Sequence, residues 1–372
     1  MDFALNDIQR RIRDAARAFA EAELVPRAAE FEADEAVPPD VFRALGERGL
    51  MAVGVPEALG GSGAGTVAYS LAMSEVARAC ASTAVTMAVT NMVGEVIAAF
   101  GDDAQKAEWC PRLAAGELGG FALSEVGAGS DPGGMRTRAV LEGDEWVIDG
   151  TKQWISHGDT ASVLVVWART EDAPGPRGLS CFLVEKGTPG LGVAKHEDKM
   201  GLRASHTVGL ELDGVRVPKA NLLGERGSGF RIAMMALDGG RIGIASQALG
   251  IGTAALEAAR AHAATEGDRD QAVQWRLADM ATRLAAARQL ALRAAFLKQA
   301  GEPFSREASM AKAFSTEGAW EVCNQAAEVV GDAALERGHV IDRALRDVRV
   351  SMIYEGTSEV QRVVIARHVL GR

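Results

Sequence analysis

The 372-residue chain is poor in cysteine, and its four thiols, Cys80, Cys110, Cys181 and Cys323, lie far apart. No Cys-x-x-Cys occurs, so neither a zinc site nor a dithiol redox pair is signalled, no metal is expected, and reduced thiols are the simplest reading. Aromatic residues make up only 5% of the chain, while alanine is abundant, which points to long, closely packed helices. Basic residues are in deficit: 40 Lys and Arg against 50 Asp and Glu leave a net charge of −10. A nucleic-acid-binding domain carries a basic face, so that class of partner is not expected. No apolar run suggests a membrane span, and the opening MDFALNDIQRR lacks the apolar core of a signal peptide. These absences lead us to expect a cytoplasmic protein with no membrane partner. The glycine-rich stretch Val55–Gly65 lacks the Gly-x-x-x-x-Gly-Lys-[Ser/Thr] spacing of a phosphate loop and has no strand-then-helix context, so it reads as a flexible connector.

What is present divides the chain into three. The length exceeds one compact core, and the hydrophobic fraction of 48% fits a folded protein. Leu5, Ile8, Ile12, Ala16 and Phe19 recur at helical spacing, Asn6 with Gln9 forms a candidate capping pair, and Pro26 closes the helix. Further helices are expected over residues 38–50, 66–83, 86–100 and 103–114, with Cys80–Thr83 as a junction. At Gly119 the texture changes to short strands between glycine turns: Ala139–Glu142, Glu145–Ile148, Val163–Ala168 and Leu179–Val184. An antiparallel β-domain is the expectation, with Glu142-Gly143-Asp144-Glu145 as a hairpin turn. Helical periodicity resumes near Gly229 over 230–265, 271–300 and 305–330, long enough for a four-helix bundle with the terminal helices. The fold class is therefore mostly α with a central antiparallel β-domain. The expected domains are 1–118 (helical), 119–227 (β) and 228–372 (helical bundle).

One stretch near the C-terminus organises the functional reading: Ile353-Tyr354-Glu355-Gly356-Thr357-Ser358-Glu359. Glycine stops helices, so Glu355 sits at a break between two of them. Its apolar neighbours suggest a half-buried carboxyl with a raised pKa, a candidate general base. From the local sequence alone, the plainer reading, that Glu355 caps the last helix, ranks first. Three other motifs carry chemistry. In FALSEVGAGSD (Phe121–Asp131) a strand enters a glycine loop with Ser124 and Ser130 as hydroxyl donors, against an ordinary strand-to-loop turn. In KQWISHG (Lys152–Gly158) Trp154 packs a cofactor ring with Ser156 bonding it, or Trp154 is simply a core residue. In LDGGRIGIASQALG (Leu237–Gly250) Asp238 and Arg241 open a long helix, and Arg241 holds an acyl or phosphate group or merely pairs with Asp238.

Each motif alone is weak; their order is not. The series FALSExGAGSD, WIS, Lys199-Met200-Gly201-Leu202-Arg203-Ala204-Ser205-His206-Thr207, Val217-Pro218 through Gly229-Phe230, LDxxRIxIAxQALG and YEGTSExQR resembles the acyl-CoA dehydrogenase family over nearly the whole chain. The resemblance implies FAD held between a central β-domain and a helical bundle. It places Phe121, Leu123 and Ser124 along the flavin, and Trp154, Ile155 and Ser156 beside the ring. Ser130 is placed at FAD and at the substrate's CoA arm. Asp238, Arg241 and Gly356 would line the acyl-CoA site, Gln271, Thr357 and Glu359 would touch FAD, and Glu355 would be the catalytic base. It also implies α,β-dehydrogenation of an acyl-CoA thioester to a trans-2-enoyl-CoA. Glu355 would remove the α-proton as the β-hydride leaves for flavin N5, and the Glu355 N–H and a ribityl hydroxyl would steady the enolate. An electron-transferring flavoprotein would take the electrons, and a homodimer or homotetramer is expected. CASTAVTM and FALSE look most like short-chain or branched-chain members.

Two segments depart from the family pattern. The Arg-x-x-Phe-Gly segment is missing between His262 and Met280, where Arg269 is the candidate stand-in, and Gln-x-x-Gly-Gly is replaced by Glu328-Val329-Val330-Gly331-Asp332. Both changes add negative or remove positive charge near a partner's FAD, and imply weaker FAD retention or an altered dimer contact. Competing readings are an acyl-carrier-protein dehydrogenase or an oxidase on the same fold, or a non-catalytic family subunit.

Overall fold

The computed structural model describes residues 4–173, 175–265 and 270–371. Helix α1 (Asp7–Phe19) begins where the capping pair puts it: Asn6 accepts the Gln9 N–H, and Gln9 reaches back to the Asn6 N–H. The short α2 (Ala28–Ala33), unforeseen after Pro26, and α3 (Pro39–Glu47) follow. Val55–Gly65 is not a loose connector. It contains a 3-10 turn at Glu57–Leu59, its Ser62 and Gly63 N–H groups bond Ala52 and Val55 carbonyls, and the Ser62 hydroxyl donates to Gly49 at 2.6 Å. Next come α4 (Gly65–Ala79), α5 (Ala81–Phe100) and α6 (Asp103–Ala114). The α4–α5 break needs only Cys80, in extended conformation, rather than the wider junction expected.

The middle segment forms one seven-stranded sheet. Its strands are β1 (Gly119–Ala122), β2 (Arg138–Glu142), β3 (Glu145–Ser156), β4 (Val163–Arg169), β5 (Leu179–Glu185), β6 (Leu191–His196) and β7 (Thr207–Pro218), ordered β1-β4-β2-β3-β7-β6 with β5 also on β4. The expected hairpin is there: Glu142 pairs with Glu145 across Gly143-Asp144. The sheet is mixed, however, not purely antiparallel. β1 and β2 each run parallel to β4, because the chain makes the long β2–β3 excursion before returning beside β1. β3 runs on through Gly150 to Ser156, past the end expected at Ile148, and β6 was hidden because it is an exposed strand with no alternation. β4 and β5 are buried on both faces and read as unbroken apolar runs.

The C-terminal part comprises α7 (Gly229–Thr265), α8 (Gln271–Gln299), α9 (Ser305–Val330), α10 (Val340–Arg349) and α11 (Ser358–Val369). The architecture is thus a helical N-terminal domain, a mixed β middle domain and a helical C-terminal domain. A single apolar cluster runs from α5 and α6 through β4 and β5 to α7–α10, so the sheet and the bundle share a core. α5 and α7 are in fact long and apolar enough to cross a membrane, contrary to the sequence reading, but 78% of each apolar window is buried within the protein. All four cysteines are buried and unpaired.

The Met200–Ser205 loop joins sheet to bundle. Leu202 N–H donates to buried Asp347 on α10 at 2.6 Å, and a Cβ at Gly201 would lie 2.1 Å from the Arg346 carbonyl oxygen. Backbone cannot give way as a flexible side chain can. Gly201→Ala is therefore expected to cost about 1–3 kcal/mol, read as a lower chemical-denaturation midpoint, the range for forcing atoms into a packed contact.

Candidate functional site

After α10 a single 3-10 turn (Val350–Met352) leads into two successive left-handed residues, Glu355 (φ +55°) and Gly356 (φ +91°). That reversal turns the Glu355 side chain back onto the bundle. A non-glycine residue in this region costs about 1–2 kcal/mol, so the turn must be held from outside. Lys312 Nζ and Gln361 Nε2 donate to the Gly356 carbonyl at 2.5 and 2.7 Å, and the Tyr354 hydroxyl donates to Gln247 Oε1. Thr357, not Glu355, caps α11, accepting the Val360 N–H at 3.3 Å.

Freed from capping, the Glu355 carboxyl lies against α7. Its Oε2 would be 2.5 Å from a Cβ at Gly240, and it is buried with no hydrogen-bond partner among the described residues. Burial pushes the Glu355 pKa up to about 7, against the pull of Lys312 and Arg241. The backbone N–H of Glu355 makes no hydrogen bond to a described residue. Burial likewise brings Lys312 down to about 8, although Glu355 favours its charged form. Asp238 and Arg241 lie in the third and fourth turns of α7 instead of opening it. Arg241, 6% exposed, donates to Asp238 at 2.5 Å and to Ser309 at 3.2 Å, and its Nε is buried and unpartnered. Asp238 also borders an open groove of about 630 Å³ lined by Glu302, Ser305, Arg306 and His368.

A second group surrounds the end of β1. Phe121 packs on Trp167 at 4.3 Å between ring centroids, and the Trp167 indole donates to the Gly229 carbonyl at the start of α7. Gly240 lies three turns further on, about 16 Å along the helix. Leu123 is buried, and its carbonyl accepts from Lys152 Nζ at 3.1 Å. The glycine loop that follows is fixed by Glu125, whose carboxylate accepts from Lys152 Nζ and from Arg136 and Thr137 N–H groups. The N–H groups of Gly127 and Gly129 and the hydroxyls of Ser124 and Ser156 bond no described residue. Trp154 is not a core residue: it is 55% exposed, held at φ +59°, with its ring 3.8 Å from where a Gly129 Cβ would stand. The Ile155 side chain is buried in the sheet core, which leaves only its backbone for a cofactor contact. Ser130 and Glu359 are exposed.

Gln271 is not brought to either group. It begins α8, while Lys298, near the other end of that helix, reaches Gly239 of α7. A helix of this length spans about 40 Å, so Gln271 lies about that far along α8 from the end that meets Gly239. Arg269 lies outside the described residues. Glu328 pairs with Arg276 at 3.0 Å, which offsets the extra negative charge noted there. The sequence reading missed Lys312, Gln247, Gln361 and Gly240. A buried lysine looks like any surface lysine in sequence, but Gly239-Gly240 inside a strong helical pattern is a legible anomaly.

Family models described as "Acyl-CoA dehydrogenase, N-terminal domain", "middle domain" and "C-terminal domain" match residues 6–117, 120–215 and 227–370. The chain is 46% identical to the short-chain specific acyl-CoA dehydrogenase, mitochondrial, of Bos taurus, over 98% of this chain and 91% of that protein. It is 42% identical to the acryloyl-CoA reductase (NADH) of Anaerotignum propionicum, over 100% and 97%. Among solved structures, butyryl-CoA dehydrogenase from Megasphaera elsdenii superposes with a TM-score of 0.97 at 37% identity, each chain fully covered. A glutaryl-CoA dehydrogenase from Mycobacterium smegmatis in complex with FADH2 gives 0.93 at 30%, covering 99% of this chain and 96% of that one. A chain from a structure described as "Electron transferring flavoprotein of Acidaminococcus fermentans" gives 0.98 at 38%, both chains fully covered.

Proposed function

The chain belongs to the acyl-CoA dehydrogenase family, an enzyme family of oxidoreductases acting on CH–CH bonds, and on that premise we propose that it interconverts a short acyl-CoA and its trans-2-enoyl-CoA with Glu355 as the base. The observation that carries this reading is the Glu355 carboxyl turned onto Gly240, shielded, unpartnered and pushed up to about 7.

The residues around β1 fit FAD. An exposed indole beside a glycine loop with free N–H groups, and two unpaired serine hydroxyls, match a planar ring with a polar edge. Phe121, Leu123, Ser124, Trp154 and Ser156 would hold it, with Thr357 and Glu359 contributing from the start of α11. When bound, FAD supplies the two-electron acceptor for the hydrogen leaving the β-carbon. The work of this chain is to make the α-proton removable. Glu355 takes it at a carboxylate whose basicity burial has raised, and the free Glu355 N–H can donate to the thioester oxygen as negative charge develops there. Lys312 and Gln361, by gripping the Gly356 carbonyl, keep that N–H and the carboxylate in one fixed geometry. Arg241, pinned by Asp238, lends positive charge that keeps Glu355 from rising further.

The similarity to an acryloyl-CoA reductase favours a second reading, the reverse direction, in which protonated Glu355 returns the proton to the α-carbon. An electron-transferring flavoprotein as redox partner is in keeping with the Acidaminococcus match. A homodimer or homotetramer is supported by α8, which exposes Trp275 (64%) and Phe296 (63%). The direction is tested by anaerobic bleaching of the flavin with butyryl-CoA against reoxidation of reduced enzyme by crotonyl-CoA.

The base also sets a pH dependence. Glu355 acts in this direction only when deprotonated, so kcat/KM for dehydrogenation should rise about tenfold per pH unit below the group's pKa and level off above about 7. An artificial electron acceptor in buffers of constant ionic strength measures this. A flat profile from pH 5.5 to 8.5 would remove Glu355 from the role.

A further inference from the structure

One side of α7 is left bare where polar groups from other elements converge. Gly239, Gly240 and Gly243 share a face of a single turn, about 6 Å along the axis. Where their side chains would be, other residues bring polar atoms. A Cβ at 239 would lie 2.8 Å from Lys298 Nζ and 3.8 Å from Glu95 Oε2. One at 240 would lie 2.5 Å from Glu355 Oε2, and one at 243 would lie 2.6 Å from the Tyr69 hydroxyl. Tyr69 comes from α4, Glu95 from α5 and Lys298 from α8.

Tyr69 makes this more than a strip of small residues. It is only 6% exposed, its hydroxyl is aimed at the glycine face, and that hydroxyl bonds no described residue. The hydroxyl oxygen itself keeps some exposure, so its proton is available to a molecule that enters beside the glycines. Burial, then the charges of Glu95 and Glu355, hold its pKa far above the ordinary value, so it stays a neutral donor. Lys298 and Glu95 pair at 2.5 Å with 18% and 23% of their side chains exposed, which leaves ammonium protons and carboxylate lone pairs unused.

We propose that Tyr69, Lys298 and Glu95 form the far wall of the acyl site and select a short acyl group that ends in a neutral oxygen function, a hydroxyl, ether or carbonyl. The proposal rests on Glu355 being the base, since Glu355 marks where the α-carbon lies on this face. A methyl terminus would press against an ion pair and an unpaired phenol and satisfy neither. A terminal carboxylate would gain Lys298 but meet Glu95, and a terminal ammonium would meet Lys298. A neutral oxygen can accept from Tyr69 or Lys298 and, as a hydroxyl, donate to Glu95. The nearness of this wall to Gly240, within one helical turn, limits the chain to about four or five carbons.

The test compares isosteric CoA esters on the holoenzyme: 4-hydroxybutyryl against pentanoyl, and 5-hydroxypentanoyl against hexanoyl. We expect the hydroxyacyl ester to lead by at least about tenfold in kcat/KM in one pair, since a site built to hydrogen-bond discriminates against the group that cannot. Tyr69→Phe should lower kcat/KM for the hydroxyacyl ester about tenfold more than for its alkyl isostere. Alkyl esters turned over equally well or better in both pairs would overturn the proposal. So would a Tyr69→Phe variant that slows both members equally, as a purely structural role predicts, or a glutaryl-CoA preference over all four. If butyryl-CoA bleaches the wild-type flavin while the preference is missing, only this proposal falls. If no ester bleaches it, the dehydrogenase reading falls too.

Discussion

Glu355→Gln, purified with its flavin, is expected to keep its visible spectrum and lose substrate-dependent bleaching, with kcat/KM down by about 10³-fold or more. The amide is nearly isosteric, so the grip of Lys312 and Gln361 on the Gly356 carbonyl is untouched and the flavin-side residues are not disturbed. What is lost is the carboxylate positioned over Gly240. A stability measurement separates this loss from damage to the fold. The Glu355 pKa is raised on folding, so the native state holds the proton more tightly than the unfolded chain. Its contribution is therefore fully present below the ordinary glutamate pKa and lost as pH rises through about 7. A permanently neutral glutamine escapes that loss, and at pH 8 the inactive variant should be more stable than wild type by on the order of 1–2 kcal/mol. Full activity in Glu355→Gln would mean that another residue removes the proton.

Lys152→Met should have the largest effect on stability. Lys152 is fully buried, and its ammonium bonds Glu125 at 2.9 Å and the Leu123 carbonyl at 3.1 Å. Burial works against both charges. It brings Lys152 down to about 8, whereas at Glu125 it is outweighed by Lys152, the Arg136 N–H and the Thr137 hydroxyl, so that carboxyl lies below its ordinary range. Both are ionised at neutral pH. With the lysine gone, Glu125 keeps its other donors and stays charged without a counter-ion, a loss of about 3–5 kcal/mol in denaturant unfolding. The Leu123 carbonyl also loses its donor beside Ser124, so the variant should release its flavin on dialysis. The double variant Lys152→Met with Glu125→Gln should recover much of the stability, because no bare charge then remains. If the single variant unfolds like wild type, the pair is not the anchor described here.

The sequence by itself determined the helical, β, helical order, because that order is written in local periodicity: period 3.6 before Gly119 and after Gly229, short runs with glycine turns between. The Asn6–Gln9 capping pair and the Gly143-Asp144 turn were legible for the same reason, since capping and turn chemistry act over three or four residues. The break at Glu355-Gly356 was legible too, and so was the identity of the motif around it. Tertiary structure alone decided which way Glu355 faces. Locally it ranked as a helix cap, and only the left-handed turn held by Lys312 and Gln361, with Thr357 taking the cap, directs it onto α7. Tertiary structure likewise decided that Trp154 faces outward, that β1 and β2 run parallel to β4, and that two helices apolar enough for a membrane lie inside the protein. These depend on contacts between residues tens to hundreds of positions apart, and burial, direction and pKa are properties of such contacts, which no local pattern encodes.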